Sequence, residues 1–132
     1  MSTPTPAAAH AAAPGVDLNR LLDAIACVEN WNGSAVGGNG ELGPFQFTRT
    51  TWEGLTTEPF SKSKDPAIAR PIARLYLSYL AADLRRNGFE VSVANLATAF
   101  NIGMRGMILR KFHDPNNAIV YAQRVCNIYN SP

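Results

Sequence analysis

A chain of 132 residues with 46% hydrophobic and 17% charged side chains fits one globular domain with a sizeable core and is too short for two ordinary ones. The net charge of +2 is too small to argue for nucleic acid, though it would suit an anionic polymer such as a cell wall. No apolar run approaches the ~18 residues of a membrane span, and two cysteines, Cys27 and Cys126, without a CxxC or Cys/His cluster give no zinc site.

The first stretch, MSTPTPAAAHAAAPG, is Ala/Pro low-complexity sequence and reads as a disordered arm over residues 1–16. It has no Lys or Arg before Arg20 and no strongly apolar centre, so it lacks the parts of a secretory signal, and no export route is visible. His10 lies within it and carries no argument. The remaining residues, 17–132, form the predicted domain.

Asp17 is placed to cap a helix that is predicted to run to about Trp31. Leu18, Leu21, Leu22, Ile25 and Val28 keep the spacing of one helical face. Glu29, seven residues after Leu22 and four after Ile25, points with that stripe, and Cys27 falls on the opposite side. If both sides are covered, this helix is central. Residues 32–44 then hold five Gly and only three apolar side chains, which predicts a loop with a short hairpin around Gly-Gly-Asn-Gly. No strand precedes it and no Gly-Lys-Ser/Thr follows, so a phosphate loop is excluded.

Thr50 and Glu53 fit a capping box that opens a short helix through Trp52, with irregular chain over 56–64. Asp65 as cap, Pro66 at the first position and Gly88 as stop delimit the clearest helix. Ile68, Ile72, Leu75, Tyr76 and Tyr79 keep helical spacing along it, and Pro71 predicts a kink or restart. Ser92 caps the next helix, which turns Leu96, Ala97 and Phe100 inward and stops at Gly103; another covers about 104–112. The last opens at Asp114-Pro115, runs to about Asn130, and shares Ile119, Ala122, Cys126 and Tyr129 on its inner face. No run alternates with the period of a sheet, so the fold class is mainly α with at most a small β-hairpin. Packing the first and last helices together would bring Cys27 and Cys126 into contact, as one disulfide or as two small buried residues.

A carboxylate on a buried face is costly when ionised. Desolvation raises its pKa, and a carboxyl still protonated near neutral pH is a general acid. Glycoside hydrolysis needs such an acid to protonate the leaving oxygen, and a Gly-rich loop offers a polymer an open cleft. The bland alternative places Glu29 at an exposed helix end.

Four segments occur in a telling order: AIACVEN, GELGPFQFT, ATAFNIG and YAQRVCNIY. Together they resemble the lysozyme-like superfamily of soluble lytic transglycosylases and goose-type lysozymes, over about residues 17–130. Gly-Pro-Phe-Gln-Phe with Trp52 is also similar to a segment of invertebrate-type lysozymes. The resemblance implies a lysozyme-like fold around a central catalytic helix and cleavage of peptidoglycan at the MurNAc–GlcNAc β-1,4 linkage. It implies Glu29 as catalytic acid/base and three substrate-binding residues: Gln46 near the cleft floor, Asn101 as a sugar contact, and Tyr121 as the tyrosine of the final helix near the acid. Asn30 stands where transglycosylases usually have Ser, Pro44-Phe45 replaces Leu-Met, and Phe100 replaces Tyr.

An inverting hydrolase needs a second carboxylate, whereas a lytic transglycosylase uses one glutamate twice. The candidates for a second acid are Glu41, Asp23 and Glu53. Some relatives carry Asp in a Gly-Asp-Asn-Gly turn, where this chain has Gly38; Glu41 lies close, though loop carboxylates are normally solvated. The expectation is therefore a lytic transglycosylase with one glutamate, with a hydrolytic muramidase or a non-catalytic wall-binding or phage-structural module as alternatives. His113, beside Asp114, reads as a surface or helix-end residue. The partners expected are peptidoglycan glycan strands met at the cell wall by a monomer, with no nucleic acid, no cofactor and no metal.

Overall fold

The computed structural model describes residues 15–33, 35–110 and 116–132. Among the described residues, five α-helices and one short 3-10 helix account for the regular structure, and the only β pairing is one isolated bridge. The fold is mainly helical. None of the described helices is long and apolar enough to cross a membrane.

Helix α1, Leu18–Glu29, starts at Asp17, whose carboxylate accepts the Arg20 N–H at 3.1 Å. It stops two residues short of Trp31 because Asn30 turns into the left-handed region (φ 47°) and closes the last turn through its N–H to the Ala26 carbonyl. Leu18, Leu21, Leu22, Ala24 and Ile25 are buried. The opposite face, with Asn19, Arg20, Asp23 and Cys27, is open to solvent, so α1 is covered on one side only.

Helix α2, Arg49–Leu55, is capped by Thr48, whose hydroxyl accepts the Thr51 N–H. The expected capping box at Thr50 and Glu53 is not formed; Glu53 instead faces Arg49 one turn back at 3.7 Å. Burial decides between the threonines, since starting at Arg49 sends Trp52 fully inward, where its indole donates to the Glu58 carbonyl at 2.7 Å. The segment expected to be irregular contains a 3-10 helix, Phe60–Lys64.

Helix α3, Pro66–Arg86, has Asp65 as cap, Pro66 at its start and Gly88 (φ 78°) after its end. It runs through Pro71 as one helix, so the expected restart does not occur. Pro71 removes one hydrogen bond, but the helix is held around it by the fully buried Ala69, Ala73 and Leu77. The fully buried row is Ala69, Ala73, Leu77, Ala81 and Leu84, and Ile68, Ile72 and Tyr76 flank it half-buried. Helix α4, Val93–Arg110, opens at Ser92, whose Oγ accepts the Asn95 N–H. It is broken at Gly103 (φ 76°, ψ 164°), a conformation that side chains disfavour, so two arms meet where the stop was expected. Helix α5, Asn116–Tyr129, buries Ala122 and Val125. Ile119 falls outside the described side chains, and Cys126 is only half-buried.

Helix α5 packs on α1 and α4, and α3 packs on α1, α4 and α2. The α1–α5 pair is antiparallel. Tyr129 Oη accepts the Asp17 N–H (3.0 Å), Arg20 donates to the Ser131 carbonyl (2.7 Å), and Tyr121 reaches Glu29 at the other end. This register puts Cys27 level with Ala122, about one turn (~6 Å) from Cys126. Both thiols are free, Cys27 is exposed and Cys126 is half-buried, so neither the disulfide nor the pair of buried residues is formed. His10, His113, Asp114 and Pro115 lie outside the described residues, as does the arm except Gly15 and Val16; Val16 packs against the core.

Candidate functional site

A cleft of about 450 Å³ opens beside the C-terminal end of α1. Its polar lining is Glu29, Asn39, Glu41, Gln46, Thr48, Thr51 and Asn101; its apolar wall is Phe45, Phe47, Tyr76, Phe100 and Ile102.

Glu29 reaches the cleft because the apolar stripe of α1 continues to its last residue while Asn30 ends the helix. From α5, the Tyr121 hydroxyl donates to Glu29 Oε2 at 2.8 Å. That leaves Oε1 without a partner among the described residues. Burial drives the Glu29 pKa above the usual carboxylate range. The Tyr121 hydrogen bond opposes this rise, and the Glu41 charge adds to it. Tyr121 is itself buried, and desolvation together with the neighbouring Glu29 raises its pKa, so it stays a hydroxyl donor. Tyr121, expected as a substrate-binding residue, is not part of the cleft lining; its hydroxyl holds the Glu29 carboxyl.

The loop after α1 folds as a turn at 37–41, with the Gly40 N–H donating to the Gly37 carbonyl and the Gly37 N–H to the Glu41 carbonyl. The bridge pairs Leu42 with Phe47, so the reversal that pairs is 43–46 and not the expected Gly-Gly-Asn-Gly. The cause is Gly43 (φ 85°), which lies so close to the Ser63 carbonyl that a Cβ would come within 1.9 Å of it. That contact pins the reversal to the 3-10 helix. Gln46 closes the reversal in the left-handed region (φ 52°), and its amide donates to the Gly43 carbonyl at 2.8 Å. Strained backbone of this kind persists only where its surroundings enforce it. Here it sets a glutamine and a carboxylate, Glu41, on the same cleft.

The far wall is an aromatic cluster. Phe47 meets Trp52 edge-on at 5.3 Å, and Tyr76 and Phe100 lie 5.4 Å apart with Phe47 about as far from each. Phe100 is a buried member of this cluster, and the break at Gly103 brings Asn101 and Ile102 to the cleft edge. Tyr76 was legible only as part of a helical stripe. It lines the cleft, and its hydroxyl makes no hydrogen bond among the described residues. The available signal was a tyrosine in a row where phenylalanine would pack as well, since a buried hydroxyl normally needs a partner.

The other candidate acids do not reach the cleft. Asp23 pairs with Arg70 at 2.8 Å on the exposed side of α1, and Glu53 pairs with Arg49. The described residues contain no group of three or more His, Cys, Asp or Glu that could hold a metal ion. Glu29, Glu41, Gln46 and Asn101 thus converge on one cleft, Tyr121 stands behind Glu29, and the arrangement can deliver a proton into a space with both polar and aromatic walls. Comparison of the chain with protein-family models, curated proteins and solved structures gave no match.

Proposed function

We propose that this chain is a peptidoglycan-cleaving glycosidase of lysozyme-like fold, acting on the MurNAc–GlcNAc β-1,4 linkage with Glu29 as the proton donor. One observation carries the reading: a glutamate ends a helix in a cleft, is driven towards its neutral form by burial, and is tethered through one oxygen while the other is left open. The four segments that resemble soluble lytic transglycosylases and goose-type lysozymes support it, because Gln46 and Asn101 line the same cleft and Tyr121 holds the acid.

Glu29 gives its proton to the glycosidic oxygen as the bond from that oxygen to the sugar C1 breaks. Charge then grows on C1, and an oxygen must close on it. A transglycosylase uses the 6-hydroxyl of the same sugar, whose proton returns to Glu29, leaving a 1,6-anhydro end. A muramidase uses water, whose proton goes to a second carboxylate, leaving a reducing end. The aromatic wall suits the apolar faces of sugar rings, and the amides and hydroxyls suit their substituents.

The test is mass spectrometry of products from purified peptidoglycan incubated with the wild-type protein and with Glu29→Gln. Muropeptide release by the first and none by the second is the expected result. Binding to the wall without release by either would favour a non-catalytic module.

A further inference from the structure

We infer that Glu41 is the second catalytic carboxylate of this cleft, the base that takes a proton from the attacking water, so that the glycosidic bond is hydrolysed with inversion. The inference rests on the glycosidase reading above and departs from the one-glutamate route expected from the sequence.

A solvated loop glutamate would be free of its own backbone. Glu41 is held at both ends. Its carbonyl accepts the Gly37 N–H at 2.8 Å, and its Oε1 accepts the Asn39 N–H at 3.1 Å. Its other oxygen lies over Gly37, where an added Cβ would come within 2.3 Å of it and within 2.8 Å of Gln46 Oε1. Gly37 is not in the left-handed region. A side chain at this position would meet the carboxylate where it now sits, so the carboxylate would have to shift.

The seat faces Glu29 in the same cleft. Glu29 and Glu41 both line this cleft, and inversion requires that they stand about 6.5–9.5 Å apart with room for a water between them. The roles divide by environment. Glu29 is pushed towards the neutral form by burial, and the Glu41 charge pushes the same way. Glu29 is thus the proton donor, and Glu41 is the second carboxylate seated on the same cleft.

In the step, a water oxygen bonds to C1 on the face opposite the leaving group. Glu41 accepts one proton of that water, Glu29 gives its proton to the departing oxygen, and the old C1–O bond breaks. The products are a free hydroxyl on one sugar and a reducing end of inverted configuration on the other. Solvent returns a proton to Glu29 and removes one from Glu41.

Three variants and one product analysis test this on purified, solubilised glycan strands. Wild-type protein is expected to leave reducing ends, formed as the inverted anomer. Glu41→Gln should lose at least about 10²-fold in kcat. Gly37→Ala keeps the carboxylate but displaces it, and should lose about tenfold or more in kcat with KM within about twofold and an unchanged melting temperature. Azide, a nucleophile that needs no base, should restore turnover to Glu41→Ala and give a glycosyl azide of inverted configuration. Anhydro ends from the wild-type protein, or Glu41→Gln within tenfold of wild type, would overturn the role of Glu41 and leave the glycosidase reading standing. Absence of any cleavage by the wild-type protein would remove both.

Discussion

Glu29 and Glu41 face one cleft, yet the first is held by a hydroxyl 92 residues further along the chain and the second by amides within its own turn. Glu29 depends on the packing of α5 against α1, and its chemistry follows from burial. Glu41 depends on a space left by Gly37 and on a reversal pinned by Gly43. One carboxylate is tuned by the core and the other by a loop, so changes in either region should act on different halves of the reaction.

The largest separation between the two regions is expected from Glu29→Gln. Gln keeps the shape and can accept from Tyr121, but has no proton to give. Activity on purified walls should fall by at least about 10²-fold, roughly 3 kcal/mol in barrier; clearing within twofold of wild type would exclude Glu29 as the acid. Stability should move the other way. The folded-state pKa of Glu29 is raised above its unfolded value, near 4.5, so the native state loses stability as pH rises from about that value through the folded pKa. The variant should therefore melt above wild type at neutral pH, with the gain vanishing in melts below pH 4.5.

Tyr121→Phe should sharpen the contrast with a smaller effect. Losing the tether frees the acid and should lower kcat about tenfold. The hydrogen bond favours the ionised carboxylate, so removing it raises the Glu29 pKa further. The basic limb of the pH–rate profile should move to higher pH; a limb that stays or moves down would show that Tyr121 does not act through Glu29. Tyr76→Phe should have the smallest effect. Its unpartnered hydroxyl sits on the aromatic wall, away from both proton transfers, so KM should rise roughly 3- to 10-fold, about 1 kcal/mol of one hydrogen bond, with kcat within twofold.

The features legible in the sequence are those decided by a few adjacent residues. Asp17, Asp65-Pro66, Gly88, Ser92 and Gly103 mark helix ends by their own backbone chemistry, and each acts where it was read. What was misread is settled by distant contacts. Three threonines at 48, 50 and 51 could each cap α2, and the pocket that receives Trp52 chose the first. The large residues of α3 drew attention from Ala69 and Ala73, which are as fully buried as Leu77 and Leu84; small side chains let helices approach. In the site, Glu29 was legible from periodicity. Glu41 was not distinguished from a solvated residue, because its seat exists only once Gly37, Asn39 and Gln46 have folded around it.

The hydroxyl that holds Glu29 comes from the last helix. A chain made from its N-terminus therefore acquires the presumptive acid and its loop long before it acquires Tyr121, and the tether between them is among the contacts of greatest sequence separation. Until α5 docks, Glu29 also lacks the wall that buries it on that side, so its carboxyl stays closer to the ordinary ionised form. A nascent or clipped chain without α5 would carry the cleft loop but no tethered Glu29, and on the proposed glycosidase reading the order of synthesis alone would withhold activity until the fold is complete.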